Sequence, residues 1–228
     1  MQDYKGYLCQ FKFKILSIER GVFIIQEIQV VLPKNLEDIK LPSPEMVNYW
    51  RLAENRIFYI DDEIDICVLE IQRSIVCINI ADKDIEPELR IPIKIFIDTP
   101  GGLLAETMSL ATTIIMSKTP VITVNIAESY SGGCLLLLAG HKRYAFPYSK
   151  AMIHTGSGGV AGTFEQTEQA QKIYKKQVDE MGYYILEQSG MDERIYKKNK
   201  SKDWYMDAKE QVQYRIVHKI VTDLDEII

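Results

Sequence analysis

Basic clusters, paired cysteines and long apolar runs are all scarce in this chain of 228 residues, and each scarcity removes a class of function. A net charge of −5 with both signs interspersed leaves no electrostatic footprint for nucleic acid or anionic lipid. Cys9, Cys67, Cys77 and Cys134 show no CxxC spacing, which removes the usual redox and zinc motifs. All four are expected to be reduced and unpaired, and Cys67 and Cys134, which stand in apolar runs, to behave as small hydrophobes. No run approaches the roughly 20 apolar residues that span a bilayer, and Val22–Leu32 is interrupted by Gln26, Glu27 and Gln29. The start, Met-Gln-Asp-Tyr-Lys, lacks the basic and apolar regions of a secretory signal. The expectation is a cytoplasmic protein with no nucleic-acid and no membrane partner. What is present is a hydrophobic content of 46%, ample for one domain with additions.

Residues 8–32 alternate apolar and polar side chains, as in Phe11-Lys12-Phe13-Lys14-Ile15, and Arg20-Gly21 suits a turn, so a β-hairpin is expected. Pro33, Pro42 and Pro44 with neighbouring charges break regular structure, which reads as a linker and divides the chain into 1–47 and 48–228. Arg56–Ile60 and Ile93–Ile97 read as buried strands, and Ile64, Val68, Ile71 and Ile75 give helical spacing across Asp61–Ile80. A helix over Leu103–Ser117 would present Leu104, Met108, Ala111 and Ile115 on one face. Val121–Ile126 followed by Gly132–Ala139 repeats the alternation, which predicts an α/β core with parallel pairing. Thr163–Gln188 is a long polar helix that stops at Gly190, with Ile173, Val178, Met181 and Ile185 as its apolar side and Tyr174, Tyr183 and Tyr184 suited to another subunit.

Three residues in this frame carry chemistry. A serine hydroxyl needs a base within hydrogen-bond reach, held in one tautomer by a carboxylate, and Ser131, His154 and Asp203 stand in suitable places to fill those roles. Gly132, directly after the serine at a helix start, supplies one backbone donor for an oxyanion, and Gly102 in Pro-Gly-Gly supplies a second. Singly, each motif has a plain structural reading: a helix-start loop, an ordinary turn, a core histidine, and for Asp203 a surface charge or the N-cap of the region 207–214. Ser129, Ser157 and Cys134 compete as nucleophiles, but only Ser131 directly precedes Gly132-Gly133 at the strand-to-helix corner. His141, in a surface turn, and His218, in a C-terminal apolar strand, read as structural.

Thr99-Pro100-Gly101-Gly102, Tyr130-Ser131-Gly132-Gly133, Met152-Ile153-His154 and Lys202-Asp203-Trp204-Tyr205-Met206-Asp207-Ala208 together resemble the ClpP family, the proteolytic subunit of the Clp protease, from about Asn48 to Val221. The resemblance implies a crotonase-like ββα spiral with a protruding handle helix at Thr163–Gln188. It also implies a serine peptidase without metal or cofactor, acting on peptides or unfolded proteins. Stacked heptameric rings and an AAA+ unfoldase partner are implied as well. Gly156, Ser157, Gly158 and Gly159, within 156–162, would be an edge strand that pairs with extended substrate. Two departures stand out: Ser201-Lys202 replaces the acidic-basic pair used between rings, and Lys94, with Phe96 and Met116, occupies the apical pocket where unfoldase loops would dock. An acyl-CoA enzyme of the crotonase type and a non-catalytic ring subunit are the alternative readings.

Overall fold

The computed structural model describes residues 43–159 and 161–228 in full, together with the backbone of 9–19 and 22–32. The chain forms two compact units, 1–50 and 51–228. In the first, strands β1 (Cys9–Glu19) and β2 (Val22–Leu32) pair antiparallel from Cys9 opposite Leu32 to Glu19 opposite Val22. The expected hairpin strands are therefore present, while the Arg20-Gly21 turn and the linker from 33 to 42 lie outside the described residues. Pro44 does not continue a linker: it opens helix α1 (Pro44–Glu54), where a proline's missing N–H is one the first turn leaves unpaired anyway.

The second unit is built on a seven-stranded sheet. Its strands are β3 (Ile57–Ile60), β4 (Ile93–Thr99), β5 (Val121–Tyr130), β6 (Lys142–Ala145), β7 (Lys150–Ile153), β8 (Trp204–Asp207) and β9 (Lys219–Ile220). The main path runs β3-β4-β5-β6-β9, all parallel. The far end of β5 outruns β6 and pairs with β7, also parallel, and β7 then takes β8 antiparallel. Apolar residues such as Ile93, Ile95, Ile97, Val121 and Val124 are fully buried, as strands covered on both faces require.

The helices are α2 (Val68–Ala81), α3 (Leu104–Met116), α4 (Gly132–Ala139), α5 (Phe164–Ser189), α6 (Glu193–Asn199) and α7 (Ala208–Gln213). Two sequence expectations shift. The helix expected from Asp61 begins at Val68, because Ile64, though buried, bridges to Gly102 instead of joining a helical turn. In α3 the buried stripe is Thr107, Leu110, Ala111 and Ile114, while Ile115 faces outward at 39% exposure, so the face lies about one residue from where it was expected.

Helix α5 matches its expected limits closely. Thr163 accepts the Gln166 N–H while the Gln166 side chain accepts from Thr163, forming a capping box, and Gly190 ends the helix in the left-handed conformation. Only its C-terminal part is buried, through Met181, Gly182, Ile185 and Ser189, and Ile173 is exposed. Tyr184 departs from the expected subunit contact: its hydroxyl donates to the Leu135 carbonyl at 2.7 Å, and burial pushes its pKa up. Arg143 fastens this end of the fold. Its buried guanidinium donates to the carbonyls of Leu138, Gln188 and Arg215, near the C-termini of α4, α5 and α7.

Candidate active site

Strand register brings the three sequence-distant residues together. Tyr130 on β5 lies opposite Met152 on β7, and the Ser131 N–H donates to the Met152 carbonyl at 2.9 Å. Both parallel strands end at the same edge, the carboxyl edge where open α/β sheets place their sites, with Ser131 following one and His154 the other. On the opposite side of β7, Ile153 faces Trp204, so one further step of the same antiparallel register sets His154 against Asp203.

The result is a hydrogen bond of 2.7 Å between His154 Nε2 and Ser131 Oγ. The His154 side chain retains 22% exposure. Asp203 Oδ1 lies 3.7 Å from His154 Nδ1, beyond hydrogen-bond distance, and its side chain is 60% exposed. Asp203 is not the cap of the following helix: Asp207 takes that place, accepting from Glu210 N–H. Ser131 adopts φ 53° and ψ −118°, a left-handed value unusual for a residue with a side chain, and so turns the chain sharply from β5 into α4. That helix is buried along its whole length.

The Gly101-Gly102 turn faces this corner. A methyl group on Gly101 would lie 2.7 Å from Ser131 Cβ, and one on Gly102 would lie 2.2 Å from the Ile64 carbonyl, so neither position has room for a side chain. Their φ values of 104° and 152° point the same way. Backbone accounting then picks out one donor. Gly101 N–H donates to Thr99 Oγ1 at 3.1 Å, and Leu103 N–H donates to the Ile64 carbonyl at 2.8 Å. Between them, Gly102 N–H has no acceptor among the described residues. Its direction is set as well: Ile64 N–H grips the Gly101 carbonyl at 2.7 Å, and because the peptide is planar, the Gly102 N–H on its opposite edge points away from Ile64. Gly132 N–H, the first of α4, is likewise without an acceptor among the described residues.

Thr99 and Ile64 therefore belong to this arrangement, a role that the sequence reading, which placed Ile64 in a helix and Thr99 only within a motif, gave to neither. Buried Thr99 both receives the Gly101 N–H and donates to the Asp62 carbonyl at 2.6 Å. A hydroxyl directly before Pro-Gly-Gly is the signal that points to it.

The sites left aside are occupied in other ways. Cys134 is buried, and burial pushes its thiol up to about 12. Ser129 is buried too. His141 Nδ1 accepts from Val121 N–H, and His218, which precedes β9 rather than lying in a strand, accepts from Arg143 N–H. Cys67 is exposed, contrary to the buried position its apolar neighbours suggested, and Cys67, Cys77 and Cys134 are free thiols. Gly156, Ser157, Gly158 and Gly159 form no strand: they run as an exposed coil, and a ladder is broken by Gly156 at φ 83°. Gly156, Ser157 and Gly158 line a cleft of about 570 Å³ with Gly102, Ser131, Gly132 and His154. The Tyr174 hydroxyl of α5 donates to the Thr155 carbonyl at 3.2 Å beside this rim. Among the described residues no helix is long and apolar enough to cross a membrane, and no group of three or more His, Cys, Asp or Glu could hold a metal ion.

A mostly parallel sheet flanked by helices, with a long outlying α5 and a cleft at the carboxyl edge, is the architecture of a ClpP-type peptidase. The family model described as Clp protease matches residues 45–223, and the chain belongs to that family.

Proposed function

We propose that this protein is a serine endopeptidase that hydrolyses peptides or unfolded proteins through an acyl-enzyme on Ser131. The observation that carries the reading is the 2.7 Å contact between His154 Nε2 and Ser131 Oγ beside the Gly102 and Gly132 amides, neither of which has an acceptor among the described residues. Ser131 Oγ attacks the scissile carbonyl as His154 Nε2 takes its proton. The two amides receive the oxyanion, and the histidine then returns the proton to the departing amine. A water, deprotonated by the same histidine, attacks the acyl carbon and frees Ser131. Asp203 orients the imidazole on moving from 3.7 Å to within hydrogen-bond reach, a tightening common when substrate binds.

The exposed backbone of Gly156–Gly159 takes the peptide in extended form, ordering into a strand only as substrate adds to it. The division at 47/48 separates an N-terminal extension from the peptidase domain, which works inside stacked heptameric rings in the cytoplasm. Exposed Met116, at 76%, and the Tyr59–Phe96 stack favour an apical docking pocket for an AAA+ unfoldase, with Lys94 as its departure from the usual apolar lining. A fluorophosphonate probe followed by mass spectrometry tests the chemistry: the adduct is expected on Ser131 and absent from Ser131→Ala. An adduct elsewhere in an active preparation refutes the assignment. Light scattering should return a mass many times 26.2 kDa, and a monomer would remove the compartment.

A further inference from the structure

Beside the catalytic cleft, helices α3 and α5 leave a second cavity of about 280 Å³. Leu104, Ala105 and Met108 form its wall on α3, and Gln177, Glu180 and Met181 form the facing wall on α5. Each set recurs at three- and four-residue steps, so each is one helical face. The cavity is continuous with the cleft, since Leu104, Gln177 and Met181 line both. Its walls are mainly apolar and include two methionines, whose unbranched, flexible chains accommodate a long partner.

Charge is distributed unevenly around the two cavities. Glu63 lines the cleft and Glu180 the slot, and no lysine or arginine lines either among the described residues. Among the described residues Glu180 pairs with the solvent-exposed Lys176, at 3.6 Å on the same helix, a pairing weak enough for an incoming cation to replace. An apolar slot with a carboxylate on its rim complements a methylene stem ending in a positive charge.

We propose that the slot between α3 and α5 is a substrate side-chain subsite for lysine or arginine. The assignment of the occupant as a peptide rests on the peptidase reading above. Its stem lies along Leu104, Met108 and Met181, and its cation meets Glu180.

Binding and turnover test it separately. Fluorescein-labelled peptides carrying lysine, norleucine, alanine or glutamate at each position in turn are titrated by anisotropy against protein bearing Ser131→Ala. At one position lysine should bind about 2- to 5-fold tighter than norleucine, as expected for an exposed ion pair, and Glu180→Gln on the same background should bring that ratio to about 1. Ala105→Phe, which fills the slot from an exposed position, should abolish the preference for either long side chain over alanine. A lysine preference that survives Glu180→Gln overturns the proposal, as does no preference at any position or no binding by any peptide. Turnover of the same peptides by unmodified protein keeps the two readings apart. Selective binding without cleavage refutes the peptidase and leaves the subsite standing, whereas cleavage of every peptide without lysine preference refutes the subsite alone.

Discussion

Replacing Thr99 by valine removes one hydroxyl and keeps the side-chain shape, so its effect isolates the hydrogen bonds that hold the Gly101-Gly102 turn. In the folded protein that hydroxyl accepts from Gly101 N–H at 3.1 Å and donates to the Asp62 carbonyl at 2.6 Å, with Thr99 1% exposed. Valine leaves a buried amide and a carbonyl without this partner, which costs about 1–3 kcal/mol of stability. The turn relieves the loss by rotating the Gly101 amide toward another acceptor, and the next peptide plane, whose outer edge is Gly102 N–H, moves with it. Losing one oxyanion donor outright costs ~10²–10³ in kcat, so displacing it should cost about 10- to 100-fold. Because the donor acts on charge that develops in the transition state, KM should stay within about 3-fold. Steady-state cleavage of a fluorogenic peptide, with urea unfolding in parallel, reads both effects, and Thr99→Ser should restore both. If Thr99→Val keeps kcat within about 2-fold while its unfolding midpoint falls, the hydroxyl serves the fold alone and the reasoning about Gly102 fails.

Two further outcomes concern stability. Hydrogen bonds from Arg56 hold the Asp82 carboxyl below its usual range, with help from Thr119, so its stabilisation is fully present above the unfolded carboxylate pKa and is lost as pH falls through the folded one. Urea unfolding should therefore show Asp82→Asn well below wild type near pH 7, with the gap narrowing as pH falls below the ordinary carboxylate pKa of about 4; a gap that is constant with pH refutes the linkage. Arg143→Met removes the donor to three helix-end carbonyls and should lower stability by about 2–4 kcal/mol in the same assay, and a loss under about 0.5 kcal/mol refutes the role.

Much of this architecture is written locally in the chain. The alternation in Phe11–Ile15 sets a strand, the apolar runs at Ile93 and Val121 set buried ones, and Thr163 and Gly190 bracket α5 because caps act within one turn. The meeting of residues 131, 154 and 203 was legible as motif order, while the distances between them depend on β5 outrunning β6 to pair with β7, a long-range register that no local pattern encodes. Ile64 misled for the same reason. Its spacing to Val68 fits a helix, yet burial at Ile64 comes from a bridge to Gly102, and periodicity records burial without recording what does the burying. Tyr183 and Tyr184 differ by one helical step, so one is 72% exposed while the other reaches Leu135. In Gly156–Gly159 the glycines that suited an edge strand leave the backbone too free to form one alone.

Helix α5, at 26 residues, is about 39 Å long and is seated at one end, by Met181, Ile185 and the Gln188 carbonyl on Arg143. Its outer half reaches the cleft rim through Tyr174 and the carbonyl next to His154. That one hydroxyl ties the exposed half of the rod to Thr155, so a change at Tyr174 would be felt one residue from the imidazole without touching it.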